Sequence, residues 1–83
     1  MNPEQILNAV ETAIANRKHS KCDRWFLCWK DGQIEALPIE TIPRPKTRFF
    51  TFTRTEIEKG FSKLEWDTIQ IKLTCFLHQK GLL

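Results

Sequence analysis

The sequence predicts a single small α+β domain over residues 1–83, with its elements in the order α-β-β-β-α-α. The helices are expected to pack on one face of an antiparallel three-stranded sheet. Two observations predict most of this order. Capping boxes at residues 53–56 and 62–65 mark two successive helix starts, because a hydroxyl and an acid three residues later cap each other's backbone. The dipeptide Asp31-Gly32, between two segments rich in β-formers, predicts a hairpin.

The first helix is predicted near residues 3–17, where apolar side chains recur at helical spacing behind Asn2 and Pro3. Two strands near residues 24–30 and 33–39 then flank the two-residue turn, which sets their register. One face of this hairpin is almost wholly apolar, so we expect it to carry the helices. Its residues are Trp25, Leu27, Trp29, Ile34 and Ala36.

The second half of the chain is predicted to form a connector, a strand and two helices. Two prolines within residues 42–46 predict an extended connector, because proline cannot donate a hydrogen bond to a sheet. A third strand is predicted at residues 47–52, followed by a short helix at 54–59 and a longer one at 63–80. Gly60 lies where a left-handed residue would end the short helix.

The longer helix carries two apolar stripes on nearly opposite sides. The first stripe comprises Trp66, Ile69, Leu73, Phe76 and Leu77. The second stripe comprises Leu64, Ile71 and Cys75, with Leu82 beyond the helix end. A helix that is apolar on two sides usually packs between two layers. The second stripe is therefore expected to contact either the first helix or another subunit.

The composition favours a non-enzymatic protein of the cytoplasm. The net charge of +3 permits a polyanionic partner without requiring one. Three irregularly spaced cysteines argue against a disulfide framework and fit a reducing compartment. Neither a secretory signal nor a membrane span is expected. The sequence also has no Gly-rich phosphate loop, no Gly-x-Ser-x-Gly nucleophile elbow and no pair of carboxylates in an apolar setting. We therefore expect no enzymatic site and no cofactor.

The paired short and long helices resemble a helix-turn-helix. The spacing from Glu56-Ile57 through the turn to Gly81-Leu82-Leu83 is similar to that of winged-helix DNA-binding domains, over residues 52–83. This resemblance implies that the long helix reads DNA. The sequence departs from the pattern because Glu65 and Asp67 stand at the start of that helix, where phosphates would repel them. The alternative is a helical corner that simply closes the core.

Five basic residues make a candidate phosphate-binding edge for DNA or RNA. They are Arg44, Lys46, Arg48, Arg54 and Lys59. Such an edge would bind with salt-dependent affinity, and Phe49 and Phe50 beside it could stack on bases. The order α-β-β-β-α is also similar to that of double-stranded-RNA-binding domains, although the lysine-rich helix start of that family is reduced here to Lys63. Alternatively, the basic residues form a solvated rim that binds no partner, and the two phenylalanines belong to the core.

Two Cys/His pairs raise the question of a zinc site. His19 and Cys22 are three residues apart, as are Cys75 and His78, and two thiolates with two imidazoles suit tetrahedral zinc. The two pairs would have to meet across the fold. A buried small cysteine and surface histidines are the simpler interpretation, so no metal is assigned.

Two functional hypotheses follow from the sequence. The first is a small nucleic-acid-binding or regulatory accessory protein that uses the basic edge. The second is a protein-interaction module or homodimer whose interface is the second stripe of the last helix: Leu64, Ile71, Cys75 and Leu82. The sequence does not choose between DNA, RNA, a protein partner and a second copy of the chain.

Overall fold

A computed structural model describes residues 3–18 and 21–81 and confirms the predicted α+β class and element order. The elements are α1 (Pro3–Ala15), β1 (Arg24–Lys30), β2 (Gln33–Pro38), β3 (Arg48–Thr53), α2 (Arg54–Lys59) and α3 (Lys63–Gln79). The three strands form one antiparallel sheet in the order β2-β1-β3. The sequence therefore predicted every element, with ends that differ by two residues or fewer.

The β1–β2 hairpin has the predicted register, with Trp29 opposite Ile34 and Leu27 opposite Ala36. Its turn has positive φ at both central residues, 50° at Asp31 and 79° at Gly32. Those angles match a type I′ turn, whose twist suits a two-residue hairpin. The register follows from this local geometry.

The pairing of β1 with β3 contains a β-bulge. Leu27 lies opposite Phe50 while the next residue, Cys28, lies opposite Arg48, so Phe49 is the extra residue. The rings of both phenylalanines contact the helical layer, since Phe49 lies 6.3 Å from the Phe76 ring and Phe50 lies 6.2 Å from the Phe61 ring. Both phenylalanines are packed against the core. The sequence left this packing open as the alternative to base stacking.

The core lies between the helices and the apolar face of the sheet, as predicted. Its buried residues are Ile6, Val10, Ala13 and Ile14 from α1; Trp25, Leu27, Ile34, Ala36 and Phe52 from the sheet; and Ile57, Ile69, Leu73 and Leu77 from α2 and α3. Helix α1 packs mainly on β2, whereas α3 packs mainly on β3. The two long helices thus lie side by side on one face of the sheet.

The opposite face of the sheet is covered at its centre. Phe26 and Cys28, which alternate with the core residues of β1, are fully buried there. The connector between β2 and β3 begins at one end of β1, where Ile39 N–H donates to the first residue of that strand, 3.0 Å away. It reaches the other end of β1 at Thr47, whose carbonyl accepts from Trp29 N–H at 3.1 Å. The connector therefore spans β1, the central strand of the sheet, from one end to the other.

Both predicted capping boxes are present at the α2–α3 corner. The Thr53 hydroxyl accepts from Glu56 N–H, the Ser62 hydroxyl accepts from Glu65 N–H, and each acid accepts from its cap residue's N–H at 3.2 Å. The residue before the second cap, Phe61, contacts Trp66 edge to face, with ring centroids 5.3 Å apart. This contact between the residue before the cap and the fourth residue of the helix forms a hydrophobic staple.

The predicted left-handed conformation of Gly60 is wrong in part. Its φ is positive, at 81°, but its ψ is 151°, which lies outside the left-handed helical region. Its N–H donates to the Ile57 carbonyl at 3.3 Å, which tightens the last turn of α2. This region of φ and ψ is accessible almost only to glycine, and it directs the chain straight into the cap of α3.

Candidate interaction surfaces

The two stripes of α3 have opposite environments. From the first stripe, Ile69 and Leu73 are fully buried against the sheet. From the second stripe, Leu64 and Ile71 are 75% and 63% exposed, and Cys75 is exposed as well. Leu82 lies outside the described residues. Of the two contacts expected for this stripe, the first helix does not cover its described residues, because α1 packs mainly on β2 and lies beside α3.

The second stripe is bordered by charges of both signs. Asp67 is exposed on one flank, and Lys72 is exposed on the other. Within the stripe, the Thr68 hydroxyl donates to the Leu64 carbonyl at 2.9 Å, so this side chain bonds to its own helix. The result is a narrow apolar strip with a mixed polar border.

Three residues of the proposed basic edge lie close together in the chain and are exposed. Arg44 and Lys46 belong to the connector, and Arg48 begins β3. The Arg48 guanidinium donates to the Pro45 carbonyl at 3.1 Å, which holds it next to the connector. These three residues form what we call the connector basic patch.

Arg54 does not join the connector basic patch. It follows β3 at the end of the strand opposite Arg48, which separates the two residues by roughly 20 Å at 3.3 Å per residue. Its guanidinium donates to the Cys22 carbonyl at 3.2 Å and lies within 4.0 Å of the carboxylates of Asp23 and Glu58. Lys59 is exposed in the last turn of α2. The structure thus divides the five basic residues, and Arg54 contributes to internal contacts.

The cysteine and histidine pairs do not form a metal site among the described residues. Within residues 3–18 and 21–81, no three His, Cys, Asp or Glu side chains are grouped so that they could hold a metal ion. The Cys22 thiol donates to the Arg24 carbonyl at 3.0 Å, at the start of β1. Cys75 and His78 are exposed near the end of α3. Phe76, the residue after Cys75, contacts Phe49 near the start of β3. His19 lies outside the described residues.

A groove with a volume of about 510 Å³ lies between α1 and β2. The sequence did not predict it. Its α1 side includes Asn8, Ala9, Thr12, Ala13 and Asn16, and its sheet side extends from Gly32 to Ala36 and includes Trp29. Arg17 closes one end, where its Nε donates to the Ala36 carbonyl at 2.7 Å. Only two weak features of the sequence pointed to this groove. They are the polar face of α1 and the outer edge of β2, for which no neighbouring strand was predicted.

No protein-family model, curated protein or solved structure matches this chain significantly. Within the described ranges, none of the helices has the length and apolar character needed to cross a membrane.

Proposed function

We propose that this protein is a non-enzymatic protein-interaction module that pairs with a second copy of itself through the second stripe of α3. The observation that supports this proposal is the exposure of Leu64 and Ile71, 75% and 63%, on a helix whose opposite side buries Ile69, Leu73 and Leu77. Large apolar side chains grouped on one helix face commonly mark interaction sites. Burying each of them would contribute about 1.5–3 kcal/mol before the costs of association.

The geometry of α3 favours a second copy as the partner. Ile71 is the middle residue of this 17-residue helix. A twofold axis next to Ile71 would therefore pair α3 antiparallel with its copy along its whole length, as an isologous interface requires.

The first test is the mass of the protein in solution. We expect light scattering to give twice the chain mass for the wild type and a single-chain mass for Ile71→Glu, because burying a carboxylate in an apolar interface is costly. Since Ile71 is exposed in the single chain, the variant should still fold, which circular dichroism would verify. The matched control is Ile42→Glu, at an isoleucine that is 89% exposed in the connector. It should remain a dimer.

Cross-linking tests the antiparallel geometry. In a Cys75→Ser background, Ile71→Cys should form an intermolecular disulfide under mild oxidation, because a twofold axis brings position 71 of both copies together. Leu64→Cys in the same background should cross-link poorly, since it lies seven residues from the axis. A wild-type protein that is monomeric at every accessible concentration would overturn the proposal. Equal cross-linking at positions 64 and 71 would reject the twofold arrangement.

A second candidate function, binding of DNA or RNA, is supported by the connector basic patch. Arg44, Lys46 and Arg48 are exposed and carry three positive charges within five residues. Changing all three to Glu should abolish salt-sensitive retention of a mixed pool of short duplex DNA and RNA. The control changes three exposed lysines outside this patch, Lys18, Lys21 and Lys63, to Glu and shifts the net charge equally. Retention that falls equally in both variants would favour nonspecific charge over this patch.

The proposed compartment is the cytoplasm. Cys22, Cys28 and Cys75 are all free thiols, which is typical of proteins in reducing surroundings. Retention of all three thiols in protein isolated from cells under acid quench would support this compartment, and a recovered disulfide would count against it.

A further inference from the structure

We infer that the groove between α1 and β2 is a second interaction site, which binds an extended acidic peptide by strand addition to β2. This site is separate from the proposed α3 interface and does not depend on it. Strand addition needs an open sheet edge, a channel beside that edge, and side chains that select the ligand. Each of these is present between α1 and β2.

The open edge is the outer side of β2. Because β2 is the first strand in the order β2-β1-β3, one of its sides has no neighbouring strand within residues 3–18 and 21–81. In a two-residue hairpin, the pair next to the turn exchanges hydrogen bonds, and every second pair does so after it. Lys30–Gln33 and Cys28–Glu35 are those pairs. The backbone groups of Ile34 and Ala36 therefore point away from β1.

A contact within the chain confirms this direction. The Ala36 carbonyl accepts a hydrogen bond from Arg17 Nε at 2.7 Å, and Arg17 follows α1 on the outer side of β2. A carbonyl that pointed toward β1 could not accept it. The N–H of Ala36 and both backbone groups of Ile34 lie on the same side as this carbonyl, because the two backbone groups of a residue in an antiparallel strand share a direction.

The channel has the dimensions of a short extended peptide. From Gly32 to Ala36 it follows β2 for four residue steps, about 13 Å. Its α1 wall includes Ala13, which is buried, Ala9, which is half-buried, and Thr12, which is exposed. The two alanines are small enough to let another backbone approach. Trp29 is half-buried and offers an apolar wall to the side chains that a bound strand would direct toward α1.

Arg17 gives the site its preference for acidic ligands. Its guanidinium is part-buried at one end of the groove and uses Nε on Ala36. A carboxylate on the peptide next to this end would gain a charge-assisted hydrogen bond, which is stronger than one between neutral groups. The only acid among the lining residues is Glu35. It lies opposite Cys28, on the face of the sheet away from α1, so its side chain does not compete for Arg17.

The test starts from a phage-displayed library of random seven-residue peptides selected on the wild-type protein. We expect enrichment of extended, β-prone sequences that carry Asp or Glu at one position. A synthetic enriched peptide, titrated into ¹⁵N-labelled protein, should shift the amide signals of Ile34 and Ala36 and slow their exchange with solvent. Failure to enrich any sequence would overturn the inference, as would shifts confined to α3.

Matched variants decide whether the peptide occupies the groove. Thr12→Trp fills the channel from an exposed helix position and should weaken binding about tenfold or more. Glu4→Trp adds the same side chain to an exposed site of α1 outside the groove and should leave the affinity within about twofold. Undiminished binding to Thr12→Trp would place the peptide elsewhere.

The carboxylate preference has its own control. Replacing the enriched Asp or Glu of the peptide by Asn or Gln should weaken binding to the wild type about tenfold. The same replacement should have little effect on binding to Arg17→Gln, since the cation is absent. An equal loss in both proteins would show that Arg17 does not recognise the carboxylate. Because α3 is unchanged in these variants, their self-association measures the proposed dimer separately.

Discussion

The guanidinium carbon of Arg54 lies 5.7 Å from the centroid of the Trp25 ring, in a cation–π arrangement at the start of α2. The same side chain donates to the Cys22 carbonyl at 3.2 Å and is 32% exposed. It therefore joins the first residue of α2 to the segment that enters β1. An arginine that the sequence placed in a nucleic-acid-binding edge has a structural role in this fold.

Replacing Arg54 by Met should lower the free energy of unfolding by about 1–2 kcal/mol, from the lost cation–π contact and charged hydrogen bond. Urea denaturation measures this change. Lys59→Met is the matched control, because Lys59 is exposed in the last turn of the same helix. It should change stability by less than about 0.5 kcal/mol. Equal losses in the two variants would mean that the contacts of Arg54 add nothing specific.

Gly60→Ala should destabilise the protein by about 1–2 kcal/mol, because the φ of 81° and ψ of 151° are strained for any residue with a Cβ. The cost should be conformational, since an added Cβ would meet no atom within 4 Å. Lys59→Ala, one residue earlier, should be nearly neutral in the same denaturation experiment. If the two alanine variants were equally stable, the backbone at Gly60 would have relaxed to another conformation.

The acid of the second capping box should make stability depend on pH. The hydrogen bond from Ser62 N–H lowers the pKa of Glu65 below its ordinary value of 4.5. A carboxyl group whose pKa is lower in the folded state stabilises the protein at pH values above its unfolded-state pKa. This stabilisation is lost as the pH falls through the folded-state pKa. Glu65→Gln should therefore be less stable than the wild type near neutral pH, with a gap that closes below pH 4.5. Urea denaturation curves at about pH 7, 5 and 3 would measure the gap, and a constant gap would contradict this role.

The three thiols should react with a thiol reagent at very different rates. Cys75 is exposed and should be modified first, whereas Cys22 is half-buried. Cys28 is fully buried, and this burial raises the pKa of its thiol, with the nearby Glu35 adding to the effect. Its modification should require unfolding, because the reactive thiolate is disfavoured and inaccessible. Mass spectrometry of labelled peptides would follow each site, and rapid labelling of Cys28 in folded protein would show that this face of the sheet opens without global unfolding.

The features that the sequence predicted correctly depend on residues close together in the chain. The capping boxes at Thr53 and Ser62 were predictable because each is completed by a residue only three positions away. The hairpin register was predictable because Asp31-Gly32 allows one turn type and leaves no freedom in the pairing. Gly60 was predicted to end α2, but its ψ depends on where the cap of α3 has to begin.

The candidate sites were harder to predict because they depend on the packing of segments far apart in the chain. Periodicity identified two stripes on α3, but only the placement of α1 over β2 left Leu64 and Ile71 exposed. The α1–β2 groove likewise exists because the end of α1 comes within hydrogen-bonding distance of Ala36, nineteen positions beyond Arg17. The sequence by itself determined the elements, their ends and the hairpin register, since short-range hydrogen bonds and steric limits on φ decide those. Tertiary structure alone decided which apolar face is covered, which arginine is used internally and which strand edge is open, because these outcomes depend on how whole elements share one core.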